Sequence, residues 1–232
     1  MELQSALSGI RNSWAVVNSL ELGDSFSNPR VLPVNVAFRD VSLGEDVSYE
    51  EIYTTGLELV HYNFRLTDYS YFQFSWTGLE DYRYAYYPNP FERGRTTTER
   101  LEELRELVRA EMLDLEEFLS LASDRHSVNR LPLLRYEYST RQYRAFAHPS
   151  SHFHIGHPPS GRWAVAKELS PLSFTLLVLK HYYSREWEEM GADPRDERGH
   201  RLESHLIRER RRLDDVGADC FSADERRSFY FA

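Results

Sequence analysis

Apolar residues recur every three or four positions at Leu3, Leu7, Ile10, Trp14, Val17 and Leu20, the stripe of an amphipathic helix over residues 3 to 20. Asp24 to Pro33, with its Ser, Asn and Pro residues, predicts a loop. The apolar and aromatic runs that follow change the period. Val34 to Phe38 predicts a short strand, Gly56 to Leu66 and Tyr69 to Trp76 two more joined by a turn at Thr67-Asp68, and Asp81 to Tyr87 a third. That last strand stops at Pro88-Asn89-Pro90, because proline has no amide to give to a ladder. The strongest helical period runs from Thr98 to Ala122 through Leu101, Leu104, Val108, Met112, Leu115 and Leu119, with Thr97 or Thr98 placed to cap it.

Leu133 to Tyr138, Ser151 to Ile155 and Arg162 to Ala166 predict further strands. Ser170-Pro171 pairs a capping side chain with a proline at the first turn, and the helix it starts continues through Phe174, Leu177, Val178 and His181 to about Trp187. From Asp193 to Asp215 the chain is strongly charged, with a thin apolar stripe at Leu202, Leu206 and Leu213. Arg227 to Phe231 is apolar enough to predict an edge strand. The expected fold is α+β: an antiparallel sheet of about six or more strands with helices 98–122 and 171–188 packed on one face. Residues 1–190 form the expected domain, and 191–232 a charged helical appendage ending in the edge strand.

Composition narrows the classes of function. At 232 residues, 41% of them hydrophobic and 28% charged, the chain has the balance of a globular protein. No apolar run approaches the roughly 18 residues that span a bilayer, so no membrane association is expected. The start, Met1-Glu2-Leu3-Gln4-Ser5, lacks a basic segment followed by an apolar one, and a single cysteine, Cys220, suits a reducing compartment. A cytoplasmic location is expected. The net charge of −9 repels nucleic acid as a whole, so any phosphate contact needs a local basic patch. Arginine supplies it, since Lys167 and Lys180 are the only lysines among 28 basic residues. Its planar fork matches phosphate and carboxylate. Arg208 to Arg212 is the most basic local run, read either as a solvated helix face or as a phosphate or partner contact.

The richest chemistry lies between Ala147 and Pro158, where His148, His152, His154 and His157 fall within ten residues. The spacing of two in His152-Phe153-His154 puts both rings on one strand face and turns Phe153 and Ile155 toward a core. Four uses are open. As metal ligands, His152 and His154 would be joined by His148 or His157, and the cofactor would be a divalent ion. As a metal-free phosphodiesterase site, the histidines would serve as general base and acid on RNA, with Glu137 or Tyr138 orienting a ring and Arg135, Arg144 or Arg162 holding phosphate. As a recognition site, the same set would hold a nucleotide without catalysis. As structure, the rings would bond to backbone and carboxylates. Two known histidine signatures do not fit, because Gly156 replaces both the aspartate of the metallo-β-lactamase type and the third histidine of the histidine-triad hydrolases.

Two longer segments resemble a known family. Tyr69-Ser70-Tyr71-Phe72-Gln73-Phe74-Ser75 leads to Arg83-Tyr84-Ala85-Tyr86-Tyr87-Pro88-Asn89-Pro90-Phe91. Arg135-Tyr136-Glu137-Tyr138 leads to His148-Pro149-Ser150-Ser151-His152-Phe153-His154-Ile155-Gly156 and Ser170-Pro171-Leu172-Ser173-Phe174. Together they resemble the uncharacterised bacterial family DUF2290 over most of residues 50 to 185, with Arg162 and His181-Tyr182-Tyr183 in the places of its arginine and aromatic helix end. The second segment is also similar to the TumE-type toxins of toxin–antitoxin pairs. These resemblances imply a bacterial defence or toxin setting and supply no reaction. RNA or a nucleotide as ligand is expected from the histidine, arginine and tyrosine residues themselves, and a protein partner encoded nearby is expected from the setting. A non-enzymatic adaptor or regulatory subunit of a defence complex is the alternative, supported by the acidic net charge and the charged C-terminal helix, and self-association into a homo-oligomer is compatible with either.

Overall fold

Aromatic residues at alternate positions in the middle of the chain give strands one large apolar face. In a computed structural model of the protein, which describes residues 2–44, 46–91, 104–110, 112–114, 117–118, 131–157 and 161–229, those strands form one seven-stranded antiparallel sheet in chain order. They are β1 (Gly23–Phe26), β2 (Phe64–Leu66), β3 (Tyr71–Gly78), β4 (Asp81–Tyr87), β5 (Leu134–Ser139), β6 (Ser151–Ile155) and β7 (Trp163–Ala164). Phe72, Phe74, Tyr82, Tyr84, Tyr86 and Tyr136 share one face and are almost wholly buried there. Phe153 continues that row, its ring 5.6 Å from Tyr136.

Two helices cover the aromatic face: α1 (Leu3–Ser19) and α5 (Pro171–Tyr182). They touch where α1 has Gly9, at which a Cβ would stand 2.9 Å from the Pro171 ring. The start of α5 is fixed by a reciprocal cap. Ser170 Oγ accepts the Ser173 amide at 3.0 Å, and Ser173 Oγ accepts the Ser170 amide at 2.9 Å. Phe174, Leu176, Val178 and Leu179 of α5 are fully buried, each contributing roughly 1.5–3 kcal/mol. Polar atoms within this core are paired. The Tyr136 hydroxyl accepts the Leu169 amide at 3.0 Å and lies 2.9 Å from Ser151 Oγ, and the Tyr183 hydroxyl joins Tyr86 to Asp68.

A smaller layer lies on the other face. There α2 (Val36–Ser42), α3 (Tyr49–Glu58) and α4 (residues 104–109) bring Phe38, Ile52, Tyr53, Leu57 and Leu104 onto Tyr71, Ala85 and Tyr87. Helices therefore flank the sheet on both sides. Asn63 holds the chain leading into α2. Fully buried, it donates to the carbonyls of Asn28 at 2.9 Å and Arg30 at 2.6 Å, and accepts the Phe74 amide at 2.6 Å. Leu32 then donates its amide to Phe74 at 2.8 Å, so the segment occupies an edge of the sheet where β2 has ended.

Several elements differ from the sequence expectation. The strand expected at Val34–Phe38 is mostly α2, because the Asn35 side chain accepts the Phe38 amide and starts a helix. The strand expected from Gly56 begins inside α3, which Ser48 caps by accepting the Glu51 amide, and only Phe64–Leu66 pairs as β2. The period read from Thr98 to Ala122 is not one helix. The chain turns at Ala110, and Asp114 starts again with its own reciprocal cap to Glu117 at 2.7 and 3.0 Å. The ends of that expectation lie outside the described residues. Only Trp163 and Ala164 of the 162–166 strand pair as β7. Of the edge strand expected at Arg227 to Phe231, residues 227–229 are the end of helix α8 (Ala223–Phe229) and the rest lies outside the described residues. The charged segment carries α7 (Arg201–Arg212), following α6 (Ser184–Gly191), and its Leu202, Val216 and Phe221 join the main core. Among the described residues no helix is long and apolar enough to cross a membrane.

Asn63→Ala would leave two carbonyls and a buried amide without partners, so a loss of at least about 2 kcal/mol is expected. Urea unfolding measures it. An unchanged midpoint would show that the Asn63 clamp does not hold the segment entering α2.

Candidate functional site

Antiparallel register lines up two rows of side chains, all polar but Ala85, across β3 to β6. One row is Ser75, Arg83, Glu137 and His152, and the other is Gln73, Ala85, Arg135 and His154. Period-two alternation puts all eight on the face away from the aromatic core. His152 is fully buried and His154 nearly so.

The backbone fixes both imidazoles. His152 Nδ1 donates to the Pro149 carbonyl at 2.8 Å, and His154 Nδ1 donates to the Gly161 carbonyl at 3.1 Å. A carbonyl oxygen only accepts, so each Nδ1 carries the ring proton and each neutral ring turns a bare Nε2 outward. The two Nε2 atoms face one another at 3.1 Å. Ligand atoms of Glu137, His152 and His154 lie within 4.8 Å of one another. His148 extends the line, its ring 4.9 Å from that of His152, and its buried Nδ1 has no hydrogen-bond partner among the described residues.

Burial, then the neighbouring His154, lowers the His152 pKa to about 4. Burial also lowers His154, where Glu137 opposes the shift while Arg135 and Arg162 add to it. His148 is lowered by burial and by Arg162. Burial raises the Glu137 pKa, but positive charge around it, Arg83 and Arg135 first and either ring when protonated, outweighs burial and holds the group below the ordinary carboxylate range. The result is two neutral imidazoles beside an ionised carboxylate.

Beside this cluster runs a groove of about 360 Å³, walled by Asn35, Phe38 and Leu43 and floored by Gln73, Arg83, Arg135 and Glu137. Arg135 and Glu137 therefore belong to both the groove and the histidine cluster. The Arg135 Nε is buried and has no hydrogen-bond partner among the described residues. Arg83 reaches Glu137 only at 3.9 Å and is 56% exposed.

The other candidate residues are placed variously. Arg162 is exposed but near enough to act electrostatically on His148 and His154. Arg144 is exposed in the turn between β5 and β6, where Glu225 fastens the neighbouring Tyr143 hydroxyl and Phe146 amide. Tyr138 faces the aromatic core and donates to Glu168 at 2.8 Å, so it does not share a face with the histidines. His157 Nε2 donates to the Val47 carbonyl at 2.9 Å and is not among the converging ligand atoms, where Glu137 stands instead. Sequence reading missed Arg83 and Gln73. Strand alternation would have put both on the polar face, but their rows with Glu137 and His154 depend on register.

The fold and the site together define an α+β meander with a histidine–glutamate–arginine cluster at the mouth of a groove. The chain belongs to the DUF2290 family: the family model described as "Uncharacterized conserved protein (DUF2290)" matches residues 25–232. The match takes in all of the cluster and the groove, and leaves out α1. No curated protein and no solved structure matches the chain.

Acid should weaken this protein. His152 titrates at about 4 when folded against 6.5 ordinarily, so the unfolded chain takes up the proton first as pH falls. The stability gained from the neutral ring is full above about 6.5 and is lost as pH drops toward about 4. Thermal melting in chelator-containing buffer should show a lower Tm at about pH 5 than at about pH 7, and a weaker dependence in His152→Gln/His154→Gln. Equal pH dependence in both proteins would contradict buried neutral imidazoles.

Proposed function

We propose that this protein acts on a phosphate ester of RNA or of a nucleotide bound in the groove. Arg135 and Arg162 hold the phosphate, and His148, His152, His154 and Glu137 supply the groups that act on the ester. The observation that carries this reading is the buried Arg135 Nε, a charged donor without a hydrogen-bond partner among the described residues, at the junction of groove and cluster. Such a donor is costly to bury unless a ligand completes it, and phosphate oxygens match the guanidinium fork. Neutral imidazoles suit the role of base or ligand, and the groove has room for a nucleotide-sized molecule. We place the activity in the bacterial cytoplasm, in a defence or toxin setting. The free thiol of Cys220 supports the compartment, and the TumE-like segment around His148 supports the setting.

A second reading, an adaptor for a protein partner, draws on α7, where Arg208, Arg210, Arg211 and Arg212 are all exposed. The two readings separate at Arg135, which an α7 interface would not need.

Calorimetric titration with nucleoside mono- and diphosphates and short RNAs, on wild type and Arg135→Ala, tests the proposal. Wild type should bind at least one of these, and the variant should lose about tenfold or more in affinity. A folded wild-type protein that binds none of them, or a variant that binds equally well, would rule out the groove as a phosphate-ester site.

A further inference from the structure

We infer that His152 Nε2, His154 Nε2 and a carboxylate oxygen of Glu137 together bind one divalent first-row transition-metal ion. The role of that ion rests on the phosphate-ester reading; its binding does not. Three independent features of the geometry lead to it.

The tautomers come first. Histidines that ligate a metal through one nitrogen commonly donate the other ring N–H to a backbone carbonyl, which fixes the ring and raises its basicity. Both rings do this here, through Pro149 and Gly161. The consequence is that both lone pairs converge in a buried place. Two bare Nε2 atoms at 3.1 Å repel one another unless a cation lies between or beside them.

Distance comes second. With metal–nitrogen bonds of about 2.0–2.1 Å, a nitrogen separation of 3.1 Å gives a ligand–metal–ligand angle near 100°, between the octahedral and tetrahedral values. The pair is therefore already set at a chelating bite.

The third donor completes a ligand set. A proton shared between the two Nε2 atoms would also relieve their repulsion and Glu137 would favour it, but Arg135 and Arg162 oppose that charge, whereas a metal ion takes the carboxylate as a third ligand. The carboxylate stands directly across the β5–β6 ladder from His152, and its oxygen converges with both nitrogens. Two neutral nitrogens and one anionic oxygen suit zinc, iron, cobalt or manganese, whereas calcium and magnesium prefer oxygen donors alone. Three protein ligands leave positions open, and Glu137 also lines the groove, so a water or a phosphate oxygen from the groove can fill them. Arg83, Arg135 and Arg162 surround the site with positive charge, which favours an anionic ligand beside the ion.

Cobalt(II) is the probe. Metal-stripped wild type, Glu137→Gln and His154→Gln would be titrated with Co²⁺, followed by visible d–d absorption and by metal content after gel filtration. Circular dichroism would check that each is folded. Wild type should take up one equivalent with visible bands that Zn²⁺ displaces, and Glu137→Gln, which keeps the side-chain shape, should lose at least about tenfold in affinity. Folded wild type without Co²⁺ bands, or equal uptake by all three proteins, would overturn the inference. Nucleotide binding that depends on Arg135 in a protein that takes up no metal would remove the metal and keep the phosphate-ester reading. Metal uptake without any nucleotide or RNA binding would do the reverse.

Discussion

Burial of one sheet face against α1 and α5 is the constraint on which the rest of this structure depends. Side chains in a strand alternate, so once Phe74, Tyr84, Tyr136 and Phe153 are committed to the core, their neighbours must face the other way. A slip of one residue in β4, β5 or β6 would drive Arg83, Arg135 or a histidine into the aromatic layer, at the cost of burying an unpaired charge or polar group. Aromatic pairs add roughly 0.5–1.5 kcal/mol each beyond area burial, and stacked contacts such as Tyr82 with Tyr138 run across the sheet. The same packing therefore fixes the fold and the register of the polar rows.

On the polar face the problem is electrostatic. Arg83, Arg135 and Arg162 act on a cluster that also contains three imidazoles, so further positive charge is disfavoured and the rings stay neutral. Among the described residues Glu137 is the carboxylate set among them, and the positive charge around it, Arg83 and Arg135 first, keeps it ionised against the opposing effect of burial. Neutral nitrogen donors, an anionic oxygen and a half-buried guanidinium thus arise from a single arrangement of charges. The second layer gives the arrangement its setting. Asn63 holds the chain into α2, and α2 turns an open sheet face into a walled groove.

Much of the sheet was legible. β4, β5 and β6 follow the alternation of Asp81–Tyr87, Leu133–Tyr138 and Ser151–Ile155 almost residue for residue, because large aromatics at every second position admit little else. The start of α5 was equally plain, since Ser170-Pro171 combines a capping side chain with a preset φ. The errors fall where a local cap outweighed the apolar pattern. Asn35 turned an alternating pentapeptide into a helix that leaves Val34 and Val36 exposed, and Asp114 restarted the chain inside an apolar stripe that looked continuous. The histidines were conspicuous by their density. Their partner Glu137 lies fifteen residues before His152 in sequence but directly opposite it in the sheet.

The sequence by itself determined the class of fold, the aromatic face and the strand carrying His152 and His154, because those follow from periodicities of two and three to four residues. Only the tertiary structure decided which polar groups meet. It set Arg83 and Glu137 beside the histidines, turned Tyr138 away and bonded His157 to Val47. It also fixed each imidazole proton through a carbonyl several residues away. Convergence of that kind depends on register between strands and on where a loop lays its backbone carbonyls, and neither quantity is written in local spacing.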